Sequence, residues 1–114
     1  MSDVKSMYLE ADKLKDDGEL DAAIAKLNEV LAIDQNHVLS HLALAVLYGR
    51  VNQHEKACEH GERACEIEPG EAFNYTALSV TYVRALAGTQ DEAYKMKAEI
   101  ARDRANMMQS GGAH

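Results

Sequence analysis

The chain has 114 residues, of which 46% are apolar, and carries twelve Lys and Arg against nineteen Asp and Glu, a net charge of −7. That size is one domain, that apolar share belongs to a folded chain, and the acidic balance excludes the sequence-independent grip on nucleic acid that a basic surface supplies. One Pro and seven Gly are too few for a turn-dense β fold, and two cysteines are too few for the disulfide framework of a small secreted domain.

No apolar run approaches the ~18 residues that a membrane span needs. The start, Met1 to Lys5, turns amphipathic at once, without the basic start and apolar stretch of a secretory signal. The expectation is a cytoplasmic protein with reduced thiols and no membrane insertion.

Helical periodicity begins at Val4, and Met7, Ala11 and Leu14 follow at three- and four-residue steps until Gly18. Leu20, Ala23, Ile24, Leu27, Val30 and Leu31 carry a second stripe, which Asp34-Gln35-Asn36 ends. Asn36 is placed to cap a third helix, apolar from Val38 to Tyr48. After a break at residues 49–53, a charged helix is predicted from about His54 to Ile67, stopped by Pro69-Gly70. A fifth helix is predicted from about Glu71 to Leu86. Residues 87–90 then form a loop, with Thr89 or Asp91 as caps. The last helix is predicted from about Asp91 to Met108, and residues 109–114 read as a flexible tail. No segment reads as a strand.

The six helices repeat with a period of 34 residues. Ala11, Ala45 and Ser79 are small at that spacing; Leu14, Tyr48 and Tyr82 are bulky; Met7, His41 and Tyr75 share it. Ala23 pairs with Ala57, Val30 with Ala64, and Gln35 with Pro69. In the third copy Ala93 and Ile100 lie 36 beyond Ala57 and Ala64, which a two-residue insertion in the loop at 87–90 would explain.

A 34-residue helix–turn–helix unit with small residues at the helix crossings resembles the tetratricopeptide (TPR) repeat. The resemblance covers about residues 3–107 and rests on Ala11, Gly18 and Ala23, on Ala45, Tyr48, Ala57, Ala64 and Pro69, and on Tyr75, Ser79, Tyr82 and Ala93. It departs from the family pattern where Met7, His41 and Tyr75 replace the usual Trp, and where Pro69 is the only repeat-ending proline. It implies an all-α solenoid of three hairpins, at about 4–37, 38–71 and 72–107, in one domain over 1–114. Each hairpin has more apolar surface than it buries alone, and stacking covers it. The family usually adds a solvating helix after the last repeat. Here the final helix must serve, through Lys95, Lys97, Glu99, Arg102, Asp103 and Arg104.

The resemblance also implies that the first helix of each pair lines a concave groove. Its groove positions are Lys5, Tyr8, Asp12, Lys15 and Asp16 in the first copy. They are Leu39, Leu42, Val46, Gly49 and Arg50 in the second, and Phe73, Thr76, Val80, Val83 and Arg84 in the third. The first copy is polar there and the next two are apolar. The segment Val38–Tyr48 is apolar on nearly every face, a pattern that requires burial all round. An exposed apolar patch marks an interaction site, so a protein partner, a peptide or helix, is expected in the groove. Two alternatives stand beside this: a homo-oligomer in which another copy fills the groove, and a compact bundle in which the first helix of the third copy and the terminal helix curl inward and cover it. Arg50 and Arg84 lie 34 apart. They either grip a carboxylate at the groove edge or are solvated cations near helix C-termini. The clamp that holds chaperone C-terminal carboxylates is missing, because Tyr8, Asp12, Ala43, Phe73 and Ala77 stand where its Lys, Asn and Arg would be.

His54, Cys58 and Cys65 fall on one helical face, a partial set of zinc ligands. The same side packs Ala57 and Ala64, so both cysteines read as small buried hydrophobes. Their sevenfold separation, ~10 Å along a helix, precludes a mutual disulfide. His37 and His41 are one turn apart, and His41 occupies a packing position. No phosphate loop, zinc-protease, nucleophile-elbow or dinucleotide motif occurs. The paired carboxylates Asp16-Asp17 and Asp91-Glu92 sit at solvated helix ends. The reading is a non-catalytic adaptor or scaffold with no metal and no cofactor, and a metal- or redox-sensing module at His54, Cys58 and Cys65 is the distant alternative. Residues 1–35 carry −5 and residues 71–114 carry 0, an asymmetry that favours head-to-tail stacking.

Overall fold

The computed structural model describes residues 3–111. Six helices follow one another: α1 (Val4–Asp16), α2 (Leu20–Ile33), α3 (Val38–Arg50), α4 (His54–Ile67), α5 (Ala72–Thr89) and α6 (Ala93–Gly111). No strand occurs among the described residues. α1 with α2, α3 with α4 and α5 with α6 form three hairpins, and α2 on α3 and α4 on α5 join them into a stack.

Local chemistry sets the ends. The Asp3 carboxylate accepts from the Ser6 N–H at 2.7 Å and caps α1. Gly18 turns the chain at φ 81°, a left-handed conformation that costs glycine nothing. The α3 cap is His37 rather than Asn36: its Nδ1 accepts from the Ser40 N–H at 3.2 Å, while the Asn36 N–H is held by Asp34. A side-chain oxygen of Asp91 accepts from the Ala93 N–H at 3.0 Å where α6 begins.

α1, α3 and α5 start at Val4, Val38 and Ala72, steps of 34. α2 and α4 keep the step, from Leu20 to His54, but α6 starts 39 residues after His54. The excess lies inside α5, which has 18 residues where α1 and α3 have 13. The sequence placed a two-residue insertion in a loop at 87–90. Instead, residues 87–89 continue α5, and Gln90 ends it at φ 64°. Ala85, Leu86 and Ala87 favour helix strongly enough to carry the single Gly88. Ala93 and Ile100 are accordingly exposed, and Ala98, Ala101 and Ala105 are buried in their stead. Ala98 and Ala101 match Gly61 and Ala64 at an offset of 37. α6 also passes Met108, the predicted end, and reaches Gly111; residues 112–114 of the expected tail lie outside the described residues.

Two apolar clusters hold the stack. One joins Ala11, Ala23 and Leu27 to Leu44, Leu47, Tyr48 and Ala57. The other joins Cys58 and Cys65 to Leu78, Tyr82, Ala85, Ala98 and Ala101. Small residues let the helices close together. A Cβ on Gly61 would lie 3.0 Å from Leu78 Cδ1 and 3.9 Å from Ala45 Cβ, so α4 wedges between α3 and α5 at that point. A polar link repeats with the period: Asn28 Nδ2 donates to the Tyr48 hydroxyl at 3.2 Å, and one repeat on, the Tyr82 hydroxyl donates to Glu62. Burial, and then this bond to Glu62, push the Tyr82 phenol well above its ordinary range.

Candidate functional site

α3 and α5 run side by side, and a groove of about 240 Å³ lies between them. Its walls are Leu42, Val46, Phe73, Thr76, Val80 and Arg84, and Ala45, Gly61, Ala77 and Thr81 close its floor. The Thr81 hydroxyl donates to the Ala77 carbonyl at 3.1 Å, which leaves the floor without a free donor. Toward the N-terminal ends of the same helices, Leu39, Leu42 and Phe73 continue into a second depression of about 490 Å³. Asp34, Glu68 and Glu71 give that end its negative rim.

Among the described residues no element covers the groove. Val46 is 37% exposed, Val80 44% and Phe73 64%, and α6 packs along α5 rather than folding inward. The inward-folded bundle is therefore not the structure of this chain. The all-round apolar character of α3 divides between two surroundings: Leu44 and Leu47 are fully buried on one side, while Leu39 and Val46 face solvent on the other.

Seven of the ten residues assigned to the groove from the sequence line these two depressions, namely Leu39, Leu42, Val46, Phe73, Thr76, Val80 and Arg84. Tyr8, Asp12 and Arg50 do not. The Tyr8 ring packs on the first apolar cluster and tilts against His37, centroids 5.5 Å apart. Asp12 pairs with Lys15 at 3.0 Å. Arg50 is exposed in the last turn of α3. The residues that sequence reasoning missed are the floor and the rim. Gly61 was the findable one, as a glycine inside a helix at a repeat position otherwise held by Leu27.

The His and Cys residues fall elsewhere. Cys58 and Cys65 are buried in the second cluster. Burial is the main cause that pushes both thiols up to about 11; Glu62 adds to it at Cys58, and at Cys65 Arg104 opposes it. Alkylation at pH 8 should thus follow global unfolding, with both thiols labelled at one rate; fast labelling of either in the folded protein would contradict this. The His54 ring lies beside Gly88, in the space that a Cβ there would enter. No three His, Cys, Asp or Glu side chains gather into a metal-holding group among the described residues.

His41 is buried and pairs with His60, Nδ1 to Nδ1 at 3.0 Å, while its Nε2 lies 2.9 Å from the Gln35 carbonyl. That carbonyl can only accept, so His41 donates from Nε2 and His60 donates to the bare Nδ1 of His41. His60 also stacks on Tyr48 with ring centroids 5.6 Å apart. Burial first, then His41 and Lys56, lower the His60 pKa to about 4. The folded state therefore binds fewer protons than the unfolded chain between about pH 6.5 and 4. The resulting stability is complete above that window and is lost as pH falls through it. Melting temperature should fall across this interval, and the fall should be smaller in His60→Gln; identical pH profiles for both proteins would remove the pair from the account.

No protein-family profile matches the sequence. Over 79 residues the chain is 28% identical to the protein CTR9 homolog of Arabidopsis thaliana, a match spanning 69% of this chain and 7% of that protein. A crystal structure of MamA superposes with a TM-score of 0.81 at 20% identity, over 96% of this chain and 60% of that one. A second MamA crystal structure gives 0.81 with 56% of its chain covered. A structure of MamA MSR-1 C2 gives 0.60 at 14% identity, over 97% of this chain and 79% of that one. The chain spans little more than half of the first two MamA chains and a small fraction of the CTR9 homolog. At these identities the likeness to the solved structures is one of fold. With the 34-residue step of α1, α3 and α5, it establishes the architecture as an all-α stack of TPR-type hairpins.

Proposed function

We propose that the chain is a non-catalytic protein–protein interaction module that holds a helix or peptide of a protein partner in the groove between α3 and α5. The three hairpins act in it as one unit. The observation that carries this reading is the exposure of Leu39, Val46, Phe73 and Val80 along one continuous wall in a chain of net charge −7. Water is a costly neighbour for such a surface. Covering ~300 Å² of it contributes roughly 7–8 kcal/mol before the cost of association. TPR-type relatives, which are generally non-catalytic adaptors, support the same class of function. No described helix is long and apolar enough to cross a membrane, so no membrane insertion enters the proposal.

The test is capture from the native host on wild-type protein and on Phe73→Glu/Val80→Glu, with both proteins shown to be equally folded. A partner retained by the first and lost by the second supports the reading. A set of partners unchanged by the substitutions overturns it.

A further inference from the structure

The depression at the N-terminal ends of α3 and α5 differs in charge from the groove it continues. Leu39, Leu42 and Phe73 form its apolar wall, and Asp34, Glu68 and Glu71 form its rim. No Lys or Arg lines it, and no ion pair among the described residues uses any of the three acids. Arg63 reaches the rim through the Asn36 Oδ1 at 3.0 Å but is paired with Glu66 at 3.6 Å. Glu71 suits the start of α5, whereas Asp34 and Glu68 close the C-termini of α2 and α4, where the helix dipole favours a cation. Asn74 lines the depression as well and is 2% exposed. Its Nδ2 donates to the Glu68 and Ala64 carbonyls at 3.2 and 3.4 Å, and its Oδ1 accepts no hydrogen bond among the described residues.

We propose that the protein segment held in the groove inserts a Lys or Arg side chain into this depression. The proposal rests on the groove being a binding site, as inferred above. The aliphatic stem lies along Leu39 and Phe73, which are 54% and 64% exposed, and the charged head passes beyond Phe73 to the acids. Three carboxylates and a bare amide oxygen only accept, and the heads of Lys and Arg only donate. An acidic side chain would add a fourth negative charge, and an apolar one would strip water from the carboxylates without replacing it.

The other end fixes the direction of the segment. Arg84 is the one charged residue that lines the groove beside Val46 and Val80, and no ion pair among the described residues uses it. It lies 13 residues beyond Glu71, about 20 Å along α5 at 1.5 Å per residue. A cation of the segment is thus attracted at the Glu71 end and repelled at the Arg84 end, and apolar residues follow it over Leu42, Val46 and Val80.

The test selects binders to the full chain from a random display library of peptides of about 12 residues, long enough to span the groove as a helix. The selected peptides are then titrated against three double variants, each confirmed as folded by circular dichroism. Glu68→Gln/Glu71→Gln removes charge from the depression and no cap, because Glu71 makes no side-chain cap bond and Glu68 caps α4 through its backbone N–H. Val46→Glu/Val80→Glu blocks the groove away from the depression, and Glu19→Gln/Asp21→Asn controls for net charge. Peptides bound by the wild type should carry Lys or Arg at one end of an apolar stretch. They should lose about tenfold in affinity on Glu68→Gln/Glu71→Gln and keep it on the control. Peptides that Val46→Glu/Val80→Glu loses, but that lack a cation or bind Glu68→Gln/Glu71→Gln as tightly as wild type, overturn this proposal and leave the groove reading standing. An equal loss on the control reduces the effect to net charge and overturns it too. No binder, or binders indifferent to Val46→Glu/Val80→Glu, overturn both.

Discussion

Ala57→Leu is expected to destabilise the protein by about 1–3 kcal/mol, through overpacking. Ala57 is 1% exposed and belongs to the cluster that joins the first two hairpins. Three added heavy atoms have no room there unless α4 moves away from its neighbours, and α4 is also held by Gly61 between Ala45 and Leu78. At roughly 4 °C per kcal/mol for a chain of this size, melting should drop by 4–12 °C. Ala45→Leu, at a site 5% exposed, should behave alike. Chemical denaturation with an unchanged slope checks this, and wild-type midpoints in both variants would contradict the packing described above.

The second large effect concerns binding alone. Phe73→Glu/Val80→Glu places two carboxylates in the wall of the groove, at sites 64% and 44% exposed. In the free protein they remain hydrated, so melting should stay within a few degrees of wild type. In a complex they are desolvated without a cation, a loss of several kcal/mol, or at least ~100-fold in affinity. Titration calorimetry with the captured partner measures it. Unfolding of the variant would instead mean that Phe73 and Val80 are core residues, and wild-type affinity would mean that the partner sits elsewhere.

The repeat was legible because close packing leaves a chemical trace. Ala11 and Ala45 stay small where helices cross, and Tyr48 and Tyr82 stay large where one hairpin meets the helix before it. The groove was legible by contrast, since Val38–Tyr48 carries more apolar surface than one side of a helix needs. What escaped follows from the same physics. The length of α5 depends on one glycine, and a single Gly in a helix of Ala and Leu costs about 1 kcal/mol, too little to end it. Gly88 reads as a loop residue until the His54 ring is seen lying where a side chain would be. Misplacing that boundary shifted the third hairpin by one residue and exchanged the buried Ala101 for the exposed Ile100. The final helix was expected to solvate itself through its charges, yet it also presents Met96, Ile100 and Met107 to solvent.

Tyr8 and Asp12, assigned to the groove from the family resemblance, lie on α1, outside the two depressions between α3 and α5. The Tyr8 ring packs on the first apolar cluster and against His37, and Asp12 pairs with Lys15. The floor was invisible for a different reason. Ala77 and Thr81 are ordinary helix residues, and they become a surface only because Gly61 lets α4 approach from beneath.

The most direct measurement is amide chemical-shift mapping of the labelled protein during titration with the captured partner segment. The account predicts that Leu39, Leu42, Val46, Phe73, Thr76 and Val80 shift first and most, in step with saturation, while His60 and Lys97 at the α4 and α6 contacts with Tyr48 and Tyr82 stay in place. Shifts confined to α2, α4 and α6, with the α3 and α5 wall unmoved, would contradict it.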